Sequence, residues 1–150
     1  MRERAITTSQ VSRQALSEIG VSTHGAGMVD ITDRICGFVS ESGITDGLLT
    51  VFVRHTSASL LIQENADPDV QADIERFFSR LGPWDPTLYR HAAEGPDDMP
   101  AHIRSALTQT SLSIPVAGGR PVLGTWQGIY LYEHRERPHR RHLVIHLMGA

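Results

Sequence analysis

Apolar residues alternate at a two-residue period near both ends of the chain and recur every three or four residues between them, and this order limits the fold more than any other feature. Residues 112–116, 122–134 and 142–148 read as strands, with Gly118-Gly119 as a hairpin turn. Residues 6–19 mix β-branched and polar side chains in loose alternation and suggest one or two further strands. Residues 48–62 read as one long strand, or two, interrupted near His55-Thr56-Ser57. Strand phase puts Leu49, Val51, Val53 and His55 on one face, so His55 ends an apolar row and points into the protein or a cleft at its edge. Between these segments, Met28, Ile31, Ile35, Phe38 and Val39 have helical spacing, with Gly43 shortly after and Cys36 beside the stripe as a core thiol. Asp67 is placed to cap a helix that starts at Pro68, carries Val70, Ile74, Phe77, Phe78 and Leu81 on one side, and stops at Gly82-Pro83. A shorter helix is expected from about Asp98 to Thr108, with Ile103, Ala106 and Leu107 facing inward and His102 in its first turn. Strands outside and helices within predict an α+β fold, a largely antiparallel or mixed sandwich-like sheet packed with about three helices, and argue against a doubly wound parallel sheet.

The 150 residues, 40% hydrophobic and 21% charged, suit one domain spanning 1–150 with no internal boundary. A net charge of −3 excludes an all-basic nucleic-acid platform, so any anion site must be local. Cys36 is the single cysteine, which excludes an internal disulfide and a multi-cysteine zinc site and favours a reducing compartment. The N-terminal segment has two arginines but no apolar run after them, and no stretch approaches the ~20 apolar residues of a membrane span, so a cytoplasmic protein without a membrane partner is expected. Eight histidines stand out, because imidazoles bind metals and carry protons near neutral pH.

The densest set of ligand-type residues is His91-Ala-Ala-Glu94-Gly-Pro-Asp97-Asp98-Met-Pro-Ala-His102, which leads into a helix start. Nitrogen and oxygen donors of this kind suit zinc, manganese, iron or nickel, and the lack of thiolates points to an open, catalytic type of site. The bland alternative makes Asp97 and Asp98 helix caps and His91 and Glu94 solvated loop residues. It loses ground because His55, Glu64 and Glu133 also end apolar strand rows, where a polar side chain needs a partner. A nucleophilic Ser57 beside His55 is disfavoured, since neighbours on a strand face opposite ways and no nucleophile-elbow glycines surround it. Asp73, one turn before Phe77, is a possible carboxylate behind the site. The basic run from His134 to His142 reads either as a solvated hairpin or, through its arginines, as a seat for a phosphorylated small molecule. With 6% aromatic residues and no stripe of interleaved basic and aromatic side chains, a nucleic-acid partner is not expected.

His55-Thr56-Ser57-Ala58-Ser59, Glu64-Asn65-Ala66-Asp67-Pro68, the 91–102 segment and Gly124-Thr125-Trp126-Gln127 together resemble the YjbQ or UPF0047 family along nearly the whole chain. The resemblance implies an α+β fold, a homotrimer, and a metal or anion site at the matched histidines and acids. It also implies a secondary thiamine-phosphate synthase activity, which joins a pyrimidine diphosphate to a thiazole phosphate. On the matched positions we expect His55, Glu64, Glu94, Asp97 and His102 to be catalytic. His55, His91, Asp98 and His102 are the expected ligands of a divalent metal (Zn, Mg or Mn). Thr56, Ser57, Asn65, Trp126, Gln127, Glu133 and Arg140 are expected around the substrate. The competing reading is a non-catalytic oligomer that binds a metal ion or anionic metabolite, and a third makes the cluster a structural contact between subunits.

Overall fold

A computed structural model describes residues 5–150, so Arg2 and Arg4 of the N-terminal basic segment lie outside the described residues. The order of elements is β1 (Arg13–Thr23), β2 (Gly27–Asp30), α1 (Thr32–Ser42), β3 (Gly47–Val53), β4 (Ala58–Glu64) and α2 (Pro68–Leu81), then α3 (Asp98–Leu107), β5 (Ser111–Ala117), β6 (Arg120–Pro121), β7 (Gln127–Glu133) and β8 (His139–Gly149). Strands β1-β8-β3-β5-β6 form one sheet and β2-β7-β4 a second. Every pairing among the described strands is antiparallel, within the largely antiparallel or mixed α+β arrangement expected. No described helix is long and apolar enough to cross a membrane.

Alternation decides what each strand buries. In β8, Arg141, Leu143, Ile145 and Leu147 point inward, whereas Arg140, His142 and Met148 lie on the exposed face. Leu49, Val51 and Val53 of β3 and Leu112, Ile114 and Val116 of β5 join them, and Leu60, Ile129, Leu131 and the α1 residues Ile35 and Val39 complete one apolar cluster. Each such side chain contributes about 1.5–3 kcal/mol when fully buried. Strand β7 is buried on both faces, because Ile129 and Leu131 enter that cluster while Tyr132 packs edge-on against Phe78 of α2 at 6.2 Å.

Several expectations are corrected. Met28 does not open a helix: residues 27–30 pair with β7, and α1 begins after Asp30, whose carboxylate accepts the Thr32 N–H at 2.9 Å. The helical spacing is therefore real only from Ile31 onward. Gly43 ends α1 with φ 71°, a left-handed value that glycine adopts without strain, and Cys36 is half-buried instead of core. Residues 48–62 form two strands, interrupted near His55-Thr56-Ser57 as expected, and the two lie in different sheets, the chain passing between them at residues 54–57. β1 begins at Arg13 and runs beyond Ile19, while the strand expected from residue 122 starts at Gln127. Helix α2 and its Asp67 cap are as expected, the carboxylate accepting the Asp69 N–H at 2.9 Å, but Phe77 and Leu81 face solvent. Helix α3 buries Pro100, Ala101, Arg104 and Ser105 instead of Ala106 and Leu107. Its rotation follows Arg104, which reaches Glu75 at 2.6 Å while Tyr132 donates to the same carboxylate.

Candidate metal centre

The start of α3 places Asp98 and His102 four residues apart, one turn, and therefore on one face. The irregular segment before the helix returns His91 and Glu94 to that face. One donor atom from each of His91, Glu94, Asp98 and His102 lies within 4.8 Å of the others, with Asp98 buried and His91 and Glu94 open to solvent. Asp98 Oδ2 is the centre of the group, 2.5 Å from His91 Nε2 and 3.2 Å from His102 Nε2. Glu94 Oε2 stands 3.8 Å from His91 Nε2. Because α3 begins at Asp98, His102 opens its second turn and not the first.

Neighbours orient these side chains. His102 Nδ1 donates to the Thr56 carbonyl at 3.1 Å; a carbonyl only accepts, so the proton is on Nδ1 and Nε2 is turned toward the cluster. Asp98 Oδ1 accepts from Arg135 Nη1 at 2.6 Å, which leaves Oδ2 alone to face the imidazoles. The same guanidinium donates from Nε to Asp97 at 3.0 Å and from Nη2 to the Glu94 carbonyl at 2.8 Å, and the Glu136 N–H also donates to Asp97 at 3.0 Å. Burial pushes the Asp98 carboxyl up, but the hydrogen bond from His91 and the charge of Arg135 outweigh it and hold the group below the usual carboxylate range. Asp97 is held low in the same way, burial being overcome by the Glu136 N–H and Arg135. Asp97 thus braces the segment through Arg135 and makes no cap hydrogen bond to the helix.

His55 lies outside the four-residue group. Its Nε2 accepts the His142 backbone N–H at 2.8 Å, and its ring stacks on that of His142 with centroids 6.0 Å apart. A backbone N–H only donates, so the His55 proton is on Nδ1. Burial, then the charges of Arg141 and His142, push this imidazole below its ordinary value and keep it neutral. It touches the centre indirectly, sharing with His102 an open cleft of about 300 Å³.

Behind the crossover, Arg141 and Glu133 form a buried pair. Arg141 Nε donates to Glu133 at 3.0 Å, and Nη2 donates to the Ser57 carbonyl at 3.2 Å and to Ser57 Oγ at 3.0 Å. Thr23 Oγ1 donates to Glu133 at 2.6 Å, so this carboxylate is saturated by protein groups.

The remaining expected residues gather elsewhere. Glu64 pairs in register with Gln127, Glu64 Oε2 accepts the Asp67 N–H at 3.3 Å, and the Asn65 N–H donates to the Trp126 carbonyl at 3.0 Å. This end of β4 is six residues from Ala58, roughly 20 Å along the strand, so Glu64, Asn65, the exposed Trp126 and Gln127 do not join the histidines within one chain. Asp73 forms an exposed ion pair with Arg76 at 3.0 Å, and Arg140 lies across Gly20 on the exposed face. Arg104 has no mark in the sequence, and His134, Arg135 and Arg141 stand out there only as members of the basic run 134–142, of which Arg135 and Arg141 are tied to carboxylates in the fold. The alternation of Arg141 with Leu143, Ile145 and Leu147 could have revealed its inward place; Arg135 follows β7 in a turn, where no period marks it.

A family model described as UPF0047 protein YjbQ-like matches residues 17–150. The chain is 53% identical over 144 residues to UPF0047 protein sll1880 of Synechocystis, covering 96% of this chain and 98% of that protein. It is 47% identical over 120 residues to UPF0047 protein YjbQ of Salmonella typhimurium, covering 80% and 84%. Its fold is similar to that of a YbjQ-like protein of unknown function from Sulfolobus solfataricus, with TM-score 0.81, 25% identity and coverage of 92% and 100%. A YjbQ/UPF0047 structure from Clostridium acetobutylicum aligns with TM-score 0.78 and 36% identity, covering 86% and 97%.

Proposed function

We propose, for a chain that belongs to the YjbQ-like UPF0047 family, that it is a metal-dependent enzyme acting on a small phosphorylated substrate. The reaction implied by the resemblance is that of a thiamine-phosphate synthase. The observation that supports this reading is the convergence of His91, Glu94, Asp98 and His102 at one face of α3. Donors sharing one ion at bonds of about 2.1 Å stand roughly 3–3.4 Å apart. The 3.2 Å between His102 and Asp98 matches that spacing, and the 3.8 Å between His91 and Glu94 is close to it. The 2.5 Å contact of His91 with Asp98 is a hydrogen bond whose place a shared ion would take. Two imidazoles and two carboxylates fit Zn²⁺ or Mn²⁺ better than Mg²⁺, which prefers oxygen donors and water.

A divalent ion here would neutralise phosphate charge and polarise a phosphoryl oxygen. The protein's own part is positional: Thr56 sets the tautomer of His102, Arg135 keeps Asp98 ionised with one oxygen free, and solvent-exposed Glu94 is the group able to move and to accept a proton. A cytoplasmic setting, a homotrimer and the absence of a nucleic-acid partner accompany this reading. Calorimetric titration with Mn²⁺ and Zn²⁺, with a pyrophosphate-release assay, on wild type and His102→Ala tests it. Metal binding and turnover that both fall in the variant support the enzyme; binding without turnover of any phosphorylated compound leaves a metal-binding protein; no metal and equal activity in both overturns it.

A further inference from the structure

We infer that the cleft between His55 and His102 is a binding pocket for the apolar body of a small organic phosphate. It has a volume of about 300 Å³, is walled mainly by carbon atoms, and is lined by His55, Thr56, His102, Ser105, Ala106 and Thr110. That is the lower end of the range of ligand pockets, which combine apolar walls with few polar groups. His102 belongs to both this lining and the metal-ligand group, so a molecule seated in the cleft is adjacent to the ion position.

The polar groups at the cleft favour an oxyanion at its end. His55 is neutral with its proton on Nδ1, from which no hydrogen bond to another described residue is formed. Ser105 is 8% exposed, and its buried Oγ has no hydrogen-bond partner among the described residues. On the far side of His55 a second open cleft, also about 300 Å³, is lined by His55, Arg54, His142 and Glu18. There Arg54 is 3.2 Å and His142 3.7 Å from the single carboxylate of Glu18, and all three side chains are about half exposed. Such pairs exchange readily for a doubly charged phosphate, which offers more acceptor oxygens. The geometry thus sets an apolar compartment against the metal centre on one side and a basic one on the other, with the His55 ring as the shared wall. The inference rests on the proposed function for the phosphate and not for the shape of the cleft.

Calorimetry with phenyl phosphate and inorganic phosphate tests it, each against metal-free and Mn²⁺-loaded protein. Wild type is expected to bind phenyl phosphate at least about ten-fold more tightly than inorganic phosphate, the discrimination an apolar pocket achieves for one added methylene. Ala106→Trp, at an exposed position of α3, removes that preference and leaves the affinities for inorganic phosphate and Mn²⁺ unchanged; Thr110→Leu fills the same cleft from the β5 side if the first variant does not fold. Equal affinity of wild type for the two probes, or a preference that survives in the folded variant, overturns the pocket. Failure of wild type to bind Mn²⁺ with the preference intact removes the metal reading and leaves the pocket standing.

Discussion

Arg135 Nη1 lies 2.6 Å from Asp98 Oδ1, and this contact divides the carboxylate into one oxygen for the guanidinium and one for the imidazoles of His91 and His102. Both side chains of the pair are largely withdrawn from solvent. Arg135→Gln strands Asp98 and Asp97 together, and is expected to destabilise the fold by about 3 kcal/mol in urea denaturation, the usual cost of removing one partner of a buried pair. Arg135→Lys recovers only part of this, because one ammonium cannot reach Asp97, Asp98 and the Glu94 carbonyl together. A loss under about 0.5 kcal/mol for Arg135→Gln refutes the pairing.

His91 and His102 share the centre, and His55 does not. Mn²⁺ affinity should therefore fall more than about 100-fold in His91→Ala and His102→Ala, exceeding the loss typical of an outer partner, and change little in His55→Ala. The reverse pattern in a calorimetric titration would put the ion at the other end of the cleft.

His134 is buried, its Nε2 is 2.8 Å from Ser59 Oγ, and burial together with the charges of Arg104 and Arg141 pushes its imidazole down to about 3. An unfolded histidine titrates near 6.5. The unfolded chain therefore takes up the proton first as pH falls, so this contribution is full above about pH 6.5 and declines toward about pH 3. Asp97 and Asp98, held below the ordinary carboxylate value, add their loss only below about pH 4. Between pH 7 and 5, wild type should lose about 2 kcal/mol more than His134→Gln; identical losses in chemical denaturation contradict the buried neutral imidazole.

Glu133 holds Arg141 at the sheet crossover. Glu133→Gln leaves a buried guanidinium without its counter-charge and is expected to cost about 3 kcal/mol, whereas Glu133→Leu combined with Arg141→Met recovers much of that by removing both charges. A double-mutant cycle with no coupling would show that the two groups act independently.

Residues with a local cause were readable in advance. The Asp67 cap with Pro68 at the first helical position, the Gly118-Gly119 turn with φ of 59° and 75°, and the strand alternation of β8 each follow from neighbouring residues. The proximity of His91, Glu94, Asp98 and His102 was also visible, since twelve consecutive positions hold them all and an i,i+4 pair on a helix must face one way. The inward face of α3 departs from the expected one because side-chain apolarity favours Ala106 and Leu107, while the pairing of Arg104 with Glu75, 29 residues earlier, turns the helix the other way.

The sequence by itself determined most of the elements, the Asp67 cap and the short-range ligand group, all of which depend on backbone periods and neighbours a few positions apart. Only the tertiary structure decided that residues 47–53 and 58–64 belong to different sheets, that Glu64 lies at the far end of β4 from the histidines, and that Arg135 contacts Asp98 while Arg140 lies across Gly20. Those outcomes depend on which strands pair and on the direction a turn returns, and contacts between residues 37 or more positions apart leave no periodic trace in the chain.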